Sequence, residues 1–187
     1  MEVINLVDEG NDKTVIVVGE AGSGKTTAIN AIAGIEPKQL KSTVALHYSF
    51  GRKKTGSKKE VANFFELGGG RNLISVPFNA SKLDSTVFVI TVDLSKPALA
   101  LTHLDYWLNV VREQAMKLLQ KVQKKDPEKA ATIEARANDK WAGHEDARRV
   151  FPIPCPIIVI GTKYDQISNQ ESEKLKWICR GLRFFAH

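Results

Sequence analysis

The sequence predicts an α/β protein with a mostly parallel sheet, one antiparallel hairpin strand and helices on both faces of the sheet. Three observations favour this class. Short β-branched runs alternate with helical patterns, as they do in folds built on parallel strands. A glycine-rich turn joins the first run to the first helical pattern. The chain has 187 residues, of which 43% are hydrophobic, which is enough for the core of one domain.

The first half of the chain predicts a strand, a helix and a hairpin. "TVIVV" is typical of a buried strand, and "GKTTAINAIAG" predicts a helix that ends at Gly34. "TVALHYSF", residues 43–50, predicts the outgoing strand of a hairpin, and "EVANFFEL" predicts its return strand. The basic run 52–59 would then form the hairpin tip, either solvated or in contact with an acidic partner.

The second half predicts two more strands, "STVFVITVD" and "PIIVIG", and three helical stretches. A long helix begins at Pro97, and its apolar positions recur at helical spacing: Leu101, Leu104, Leu108, Val111, Ala115, Leu118 and Val122. A polar stretch from Pro127 predicts a surface insertion over 127–150. The last pattern, "ESEKLKWICRGLRFFAH", predicts an amphipathic helix with these residues inward: Leu175, Ile178, Leu182 and Phe185.

Composition and spacing exclude several classes of protein. The 2 cysteines and 4 histidines show neither a disulfide framework nor zinc-ligand spacing. The net charge of +6 is too small and scattered to indicate a nucleic-acid partner, and the apolar runs are too short for a membrane span. We therefore expect one domain over residues 1–187, with a flexible N-terminus over 1–13.

The stretch "GEAGSGKTT" has the pattern of a phosphate-binding loop between a strand and a helix. Glycines allow the backbone to curl so that several N–H groups converge on one phosphate, and the helix directs its positive end there. Lys25 would neutralise the outer phosphates, and the Thr26 hydroxyl would bind magnesium. The predicted binding residues are Gly19, Glu20, Ala21, Gly22, Ser23, Gly24, Lys25, Thr26 and Thr27.

The segment "VIGTKYD" indicates which nucleotide base the site would bind. Asp165 offers a carboxylate that accepts N–H bonds from guanine N1 and N2, and adenine has no matching donors. Lys163 would lay its stem along the base and reach back to the phosphate loop. The segment resembles the NKxD element of small GTPases, with Thr162 in place of asparagine, as in the Rho branch.

Two further segments resemble GTPase switch elements. Thr43, in "KSTVAL", resembles the switch threonine that closes on magnesium and the terminal phosphate. "ELGG" resembles the DxxG element, with Glu66 replacing the aspartate near magnesium and Gly69 as the phosphate sensor. Gly70 stands where a hydrolytic glutamine would lie, and glycine cannot orient water. We therefore expect no hydrolysis faster than about 10⁻⁴ per second.

Two other functions remain open at this stage. The protein could be a regulatory GTPase switch. Alternatively, "VFVITVD" could be a Walker B strand with Asp93 as its acid, which would indicate an ATP-dependent phosphotransferase. The second alternative lacks an evident lid of arginines.

Larger blocks resemble the light intermediate chain family of cytoplasmic dynein 2, the dynein of cilia and flagella. These blocks are "LHYSFGRKKTG", "FFELGGG", "VDLSKP", "FPIPCPIIVIGTKYD" and "ESEKLKWICRGLRFFAH". The resemblance implies a three-layer, Ras-like P-loop G domain that lacks the last strand and helix. It also implies a non-catalytic motor subunit that binds the dynein 2 heavy-chain tail and other motor subunits, in the cytoplasm, cytoskeleton and cilium. GTP or GDP with Mg²⁺ would then be a structural cofactor.

Overall fold

The computed structural model describes residues 13–34, 43–55, 58–169 and 171–186. Its strands are β1 (Lys13–Gly19), β2 (Leu46–Thr55), β3 (Lys58–Leu67), β4 (Thr86–Asp93) and β5 (Ile157–Thr162). Its α-helices are α1 (Lys25–Ala33), α2 (Pro97–Lys125), α3 (Pro127–Asp139) and α4 (Ser172–Ala186). Short 3-10 turns cover Arg71–Ser75, Ala80–Lys82 and Tyr164–Gln166. Apart from Lys13, the expected flexible N-terminus lies outside the described residues.

The described strands form one sheet in the order β2-β3-β1-β4-β5. The pairs β1–β3, β1–β4 and β4–β5 are parallel, and only β2 and β3 pair antiparallel. This confirms the predicted α/β class with a single hairpin. Because parallel strands end at the same edge, the segments that follow β1, β3, β4 and β5 all meet there.

The predicted start of the hairpin was wrong. β2 begins at Leu46 rather than residue 43, and it pairs with β3 as far as Thr55 opposite Lys58. Most of the basic run 52–59 is therefore strand rather than tip, although residues 56–57 lie outside the described residues. One further backbone bond, from the Gly68 N–H to Ala45 O at 2.8 Å, continues this register one residue before β2.

The larger core lies between the sheet and α2. Ile16 and Val18 of β1 and Phe88 and Ile90 of β4 are fully buried on this face, as the two-residue period of a strand requires. The predicted stripe on α2 is buried except for Leu101 and Leu108, which are half-buried. The buried face is also wider than predicted, because it includes Ala100, Trp107, Val110 and Leu119.

A smaller apolar cluster covers the opposite face of the sheet, where Ile29 of α1 packs with Val17, Phe64 and Val89. Helices therefore lie on both faces, as predicted. Helix α1 ends at Gly34, whose φ of 66° is left-handed and favours glycine.

The two remaining helices pack on the larger core. In the polar helix α3, Ala130 and Ile133 are buried. The four inward residues predicted for α4 are half-buried against the same core.

Candidate nucleotide-binding site

The loop between β1 and α1 needs its glycines for two distinct reasons. Gly22 and Gly24 have φ angles of 73° and 85°, a left-handed conformation that other residues rarely adopt. Gly19 has a positive φ of 150°, and lack of space adds a second constraint there, because a Cβ atom would clash with Oγ1 of Thr91. Helix α1 then starts without a side-chain cap, so the backbone N–H groups of its first turn point toward the loop without intrahelical partners.

Lys25 folds back over the loop that precedes it. Its Nζ donates to the carbonyl oxygens of Gly19, at 3.0 Å, and Glu20, at 2.8 Å. The side chain is only 6% exposed. Burial lowers the pKa of Lys25, and the nearby carboxylates of Glu66 and Glu20 partly offset that effect. A buried ammonium with two carbonyl partners is suited to hold a phosphate group, which would bring the missing negative charge.

Thr26 and Glu66 place oxygen atoms together at the start of α1. The Thr26 hydroxyl donates to Oε1 of Glu66 at 2.8 Å, and Glu66 is 3% exposed. Its other oxygen, Oε2, is buried without a hydrogen-bond partner among the described residues. Such an orphaned acceptor costs about 1–3 kcal/mol. A divalent cation would satisfy it, and a carboxylate with a hydroxyl is an oxygen ligand set that fits Mg²⁺.

The remaining metal-ligand prediction, Thr43, is only partly matched by the structure. The backbone of Thr43 lies against Gly68, where a Cβ atom would come 1.9 Å from the Thr43 carbonyl oxygen. This contact brings the segment to the end of β3, beside Glu66. Within the described part of the chain, however, the Thr43 hydroxyl makes no hydrogen bond to Thr26 or Glu66. Its role as a metal ligand stays a prediction.

Gly69, the predicted phosphate sensor, has its backbone N–H already engaged. That N–H donates to Ala45 O at 3.0 Å, and the same oxygen accepts from Gly68. Binding of a phosphate by Gly69 would therefore require this bond to break. Gly70 is exposed, and a Cβ atom there would have open space around it.

Hydrogen bonds through the hydroxyl groups of Ser23 and Thr91 connect the loop to β4 and β1. Thr91 donates to Val18 O at 3.2 Å, so the 2.7 Å contact between its Oγ1 and Ser23 is donated by Ser23. Sequence reasoning missed Thr91. A threonine within the apolar run "VFVITVD" was the available signal, because a hydroxyl in a buried strand requires a partner.

Thr162 ties the loop to the end of β5. Its hydroxyl lies 2.7 Å from Ser23 O and 3.1 Å from Val92 O, and its one proton is shared between these two carbonyls. Thr162 also contacts the loop at Gly24, where a Cβ atom would lie 3.3 Å from its methyl group. The threonine in the NKxD-like segment therefore holds the phosphate loop in place.

The expected reach of Lys163 back to the phosphate loop is not observed. Lys163 has a left-handed φ of 55°, and its Nζ bonds to Oδ2 of Asp93 at 2.6 Å. The physical reason is that Asp93 is 8% exposed and needs a counter-ion. Contact between the Lys163 stem and a base stays a prediction.

Asp93 is held by its neighbours rather than left open for a ligand. Ser95 donates to Oδ1 through its backbone N–H, at 3.0 Å, and through its hydroxyl, at 2.6 Å. Burial raises the pKa of Asp93, but the hydrogen bonds from Lys163 and Ser95 outweigh it, so the pKa lies below the ordinary 3.8. A carboxylate in this state is a structural ion-pair partner.

The last predicted residues of the site are more open. Asp165 lies in the 3-10 turn after β5 and is exposed. Among the described residues its carboxylate has no hydrogen-bond or ion-pair partner, which leaves it available to a ligand. In the loop, Ala21 and Thr27 are exposed and Glu20 is half-buried.

The described residues contain no group of three or more His, Cys, Asp or Glu side chains that could hold a metal. A cation at Thr26 and Glu66 would therefore need further oxygen ligands from a bound phosphate or from water. In the described ranges we also find no helix long and apolar enough to cross a bilayer.

The strand order and the loop define the class of protein, a Ras-like G-domain fold. The crystal structure of the dynein light intermediate chain's conserved domain has a similar fold. The similarity covers 95% of this chain and 65% of that chain. The TM-score is 0.63 at 12% identity. A likeness at that identity shows the fold alone.

A family model described as dynein light intermediate chain (DLIC) matches residues 8–152, and the chain belongs to this family. It is 35% identical to cytoplasmic dynein 2 light intermediate chain 1 of Bos taurus and of Homo sapiens, over 96% and 94% of this chain. It is 28% identical to cytoplasmic dynein 1 light intermediate chain 1 of Homo sapiens, over 86% of this chain. The chain spans about half (52%) of the length of the dynein 2 relatives.

Proposed function

We propose that this protein is a subunit of the cytoplasmic dynein 2 motor that holds GTP or GDP with Mg²⁺ as a structural cofactor and hydrolyses it very slowly or not at all. The observation that carries the nucleotide part is the loop between β1 and α1. Uncapped amides, a buried lysine and an orphaned carboxylate oxygen converge there.

Each residue at the start of α1 and the ends of β1 and β3 has a definable task in this proposal. The first-turn amides of α1 and the Lys25 ammonium bind phosphate oxygens, and Thr26 and Glu66 hold the cation. When bound, Mg²⁺ neutralises part of the phosphate charge. A ligand present at a thousand times its dissociation constant stabilises the folded state by about 4 kcal/mol, so the nucleotide needs no turnover to be useful.

Slow or absent hydrolysis is supported by what surrounds the terminal phosphate position. Hydrolysis needs a side chain that orients the attacking water, and Gly70 has none. Gly69 has its N–H bonded to Ala45 O, so the terminal phosphate would be sensed only after that bond breaks. Guanine is the proposed base because the Asp165 carboxylate is exposed and free among the described residues.

The motor assignment is supported by family membership and by relatives named for cytoplasmic dynein 2. We propose that the chain binds the dynein 2 heavy-chain tail together with other motor subunits. Its work would then be retrograde intraflagellar transport and cilium assembly, in the cytoplasm, on the cytoskeleton and at the cilium or flagellum with its basal body.

The nucleotide proposal is tested by denaturing freshly purified protein and identifying any released nucleotide by chromatography. We expect guanine nucleotide in near-stoichiometric amount from the wild-type chain and none from Lys25→Ala. Adenine nucleotide would support the phosphotransferase alternative, which the pairing of Asp93 with Lys163 does not favour. An empty wild-type protein that also fails to bind added GDP with Mg²⁺ would contradict the proposal.

The motor proposal is tested separately by co-purification with a dynein 2 heavy-chain tail. We expect stoichiometric association of the full-length protein with that tail. Absence of association in the full-length protein would contradict the motor role even if nucleotide is found. Catalytic turnover of GTP stimulated by an added activator would instead favour the regulatory switch.

A further inference from the structure

We propose that the outer edge of β2, with the aromatic face beside it, binds an acidic, extended segment of a partner protein. We call this surface, formed by Tyr48, Phe50 and Arg52, the β2 edge surface. It uses no residue of the phosphate loop, so the inference does not depend on nucleotide binding.

The first observation is an open hydrogen-bonding edge. β2 is the terminal strand in the order β2-β3-β1-β4-β5, and it is 10 residues long. In an antiparallel pair every second residue directs its N–H and C=O away from its partner strand. No other described strand pairs with these outward groups. An extended peptide satisfies them by adding a strand to the sheet.

The second observation is a ladder of aromatic rings on one face of this edge. The Tyr48 ring lies 5.1 Å from that of Phe65 and 6.4 Å from that of Phe50. The Arg52 guanidinium continues the ladder, 4.9 Å above the Phe50 ring. Tyr48 is 51% exposed and Phe50 is 48% exposed. Alternate apolar side chains of an added strand would cover these rings.

The third observation is the charge of the hairpin beyond the ladder. In the sequence, residues 52–60 contain one carboxylate, Glu60, and five cations: Arg52, Lys53, Lys54, Lys58 and Lys59. The register places Lys54 opposite Lys59. Edge lysines also prevent a sheet from pairing with itself. A segment rich in glutamate and aspartate complements this net positive charge, whereas a second copy of this basic hairpin does not.

The same observations favour a peptide over a nucleic acid. Only a peptide backbone pairs with the unpaired N–H and C=O groups of β2. The rings are tilted by 32° and 44° to one another, and the Tyr48 hydroxyl is bonded to Asn63 at 2.8 Å. Single-stranded nucleic acids instead need ring faces open for stacking with bases.

The test uses the 187-residue chain and a fluorescein-labelled peptide, as long as β2, in which glutamate alternates with valine. Fluorescence anisotropy should show binding of this peptide and not of the matched peptide with lysine in place of glutamate. Phe50→Ala and Arg52→Ala should each weaken binding about tenfold. The matched controls on α4, Trp177→Ala and Arg180→Ala, should leave binding unchanged.

Amide hydrogen exchange on the unmodified chain provides an independent measurement, since it needs no variant to fold. Bound peptide should slow exchange at alternate residues of β2, the pattern of an added strand. The proposal is overturned if the two peptides bind equally, if only a single-stranded DNA oligonucleotide binds, or if no binding is detected. Binding of the glutamate peptide without alternate protection, or without loss in Phe50→Ala and Arg52→Ala, also overturns it.

Discussion

At the ends of β1 and β3, some buried polar atoms of the described residues have no partner, whereas at the ends of β4 and β5 the corresponding groups bond to one another. On the first side, Glu66 keeps a buried oxygen free among the described residues, and the first turn of α1 has no cap. On the second side, Lys163 is paired with Asp93, and Thr162 is bonded to the loop. In the turn after β5 the Asp165 carboxylate is exposed and has no partner among the described residues.

This difference shows that two parts of the same sheet edge have different roles. We call the ends of β1 and β3 the phosphate half, because we propose that the phosphates and the cation bind there, and the ends of β4 and β5 the base half. The phosphate half contains a buried lysine and, among the described residues, a buried carboxylate oxygen without a partner, and such groups are costly without a ligand. The base half is complete by itself and supports the loop. Four substitutions test this division, and they are ordered here from the largest expected effect to the smallest.

Lys25→Ala should have the largest effect. If the buried Lys25 ammonium contacts phosphate as proposed, its loss removes charge-assisted hydrogen bonds, and affinity for GDP with Mg²⁺ should fall by roughly 100-fold. Titration with a fluorescent GDP analogue measures this change, with the exposed Lys121→Ala on α2 as the matched control. A loss below about threefold would contradict the assignment of the phosphate half.

Asp93→Asn should lower the free energy of unfolding by about 2 kcal/mol at neutral pH, because Lys163 loses its ionic partner. The folded-state pKa of Asp93 lies below its ordinary 3.8. Its stabilising contribution is therefore complete above 3.8 and is lost as the pH falls through the lower folded value. Urea denaturation over that range should give a flatter pH dependence in Asp93→Asn.

The matched control for this pair is the exposed Asp139→Asn, which should keep the wild-type pH profile. If Asp93→Asn keeps that profile too, the ion pair does not stabilise the fold. The contacts at the ends of β4 and β5 would then not be sufficient to support the phosphate loop.

Asp165→Ala should change ligand preference and leave stability alone. Its carboxylate is exposed, so the free energy of unfolding should change by less than about 0.5 kcal/mol. The preference for GDP over ADP should fall about tenfold, since guanine loses a charged acceptor. Parallel titrations with both nucleotides measure this ratio, and an unchanged preference would remove Asp165 from the base site.

Thr162→Val should have the smallest effect, a loss of about 1 kcal/mol in unfolding free energy. Valine keeps the shape but removes the hydroxyl that bonds to Ser23 O or Val92 O. Thr132→Val is a matched control, because its hydroxyl donates to Glu128 O at 2.9 Å on an exposed helix surface. Equal losses in the two variants would mean that Thr162 does not support the loop.

The fold was predicted where local pattern and packing agree. The strands, the helices of this chain and the glycine positions of the loop follow from periodicity and turn chemistry. The start of β2 did not follow from these patterns, because residues 43–45 have ordinary strand propensity. Regular pairing ends at Ala45, whose carbonyl oxygen accepts both the Gly68 N–H and the Gly69 N–H. The width of the buried α2 face was likewise set by packing against both the sheet and α3.

For the candidate site, the sequence predicted residues but few of their contacts. The loop motif is local, so Lys25 and Thr26 are predicted from spacing alone, and their roles toward a ligand stay predictions. The Lys163–Asp93 pair joins residues 70 positions apart, and no local sequence pattern predicts it. Thr91 was missed for a similar reason, because its partner Val18 lies on a neighbouring strand.

A single carbonyl group couples the hairpin to the edge of the candidate site. Ala45 O accepts both Gly68 N–H and Gly69 N–H, immediately before β2 begins. A ligand that captured the Gly69 N–H would have to displace its bond to Ala45 O, one residue before β2 begins. The start of the hairpin would then keep the bond from Gly68 and lose the one from Gly69.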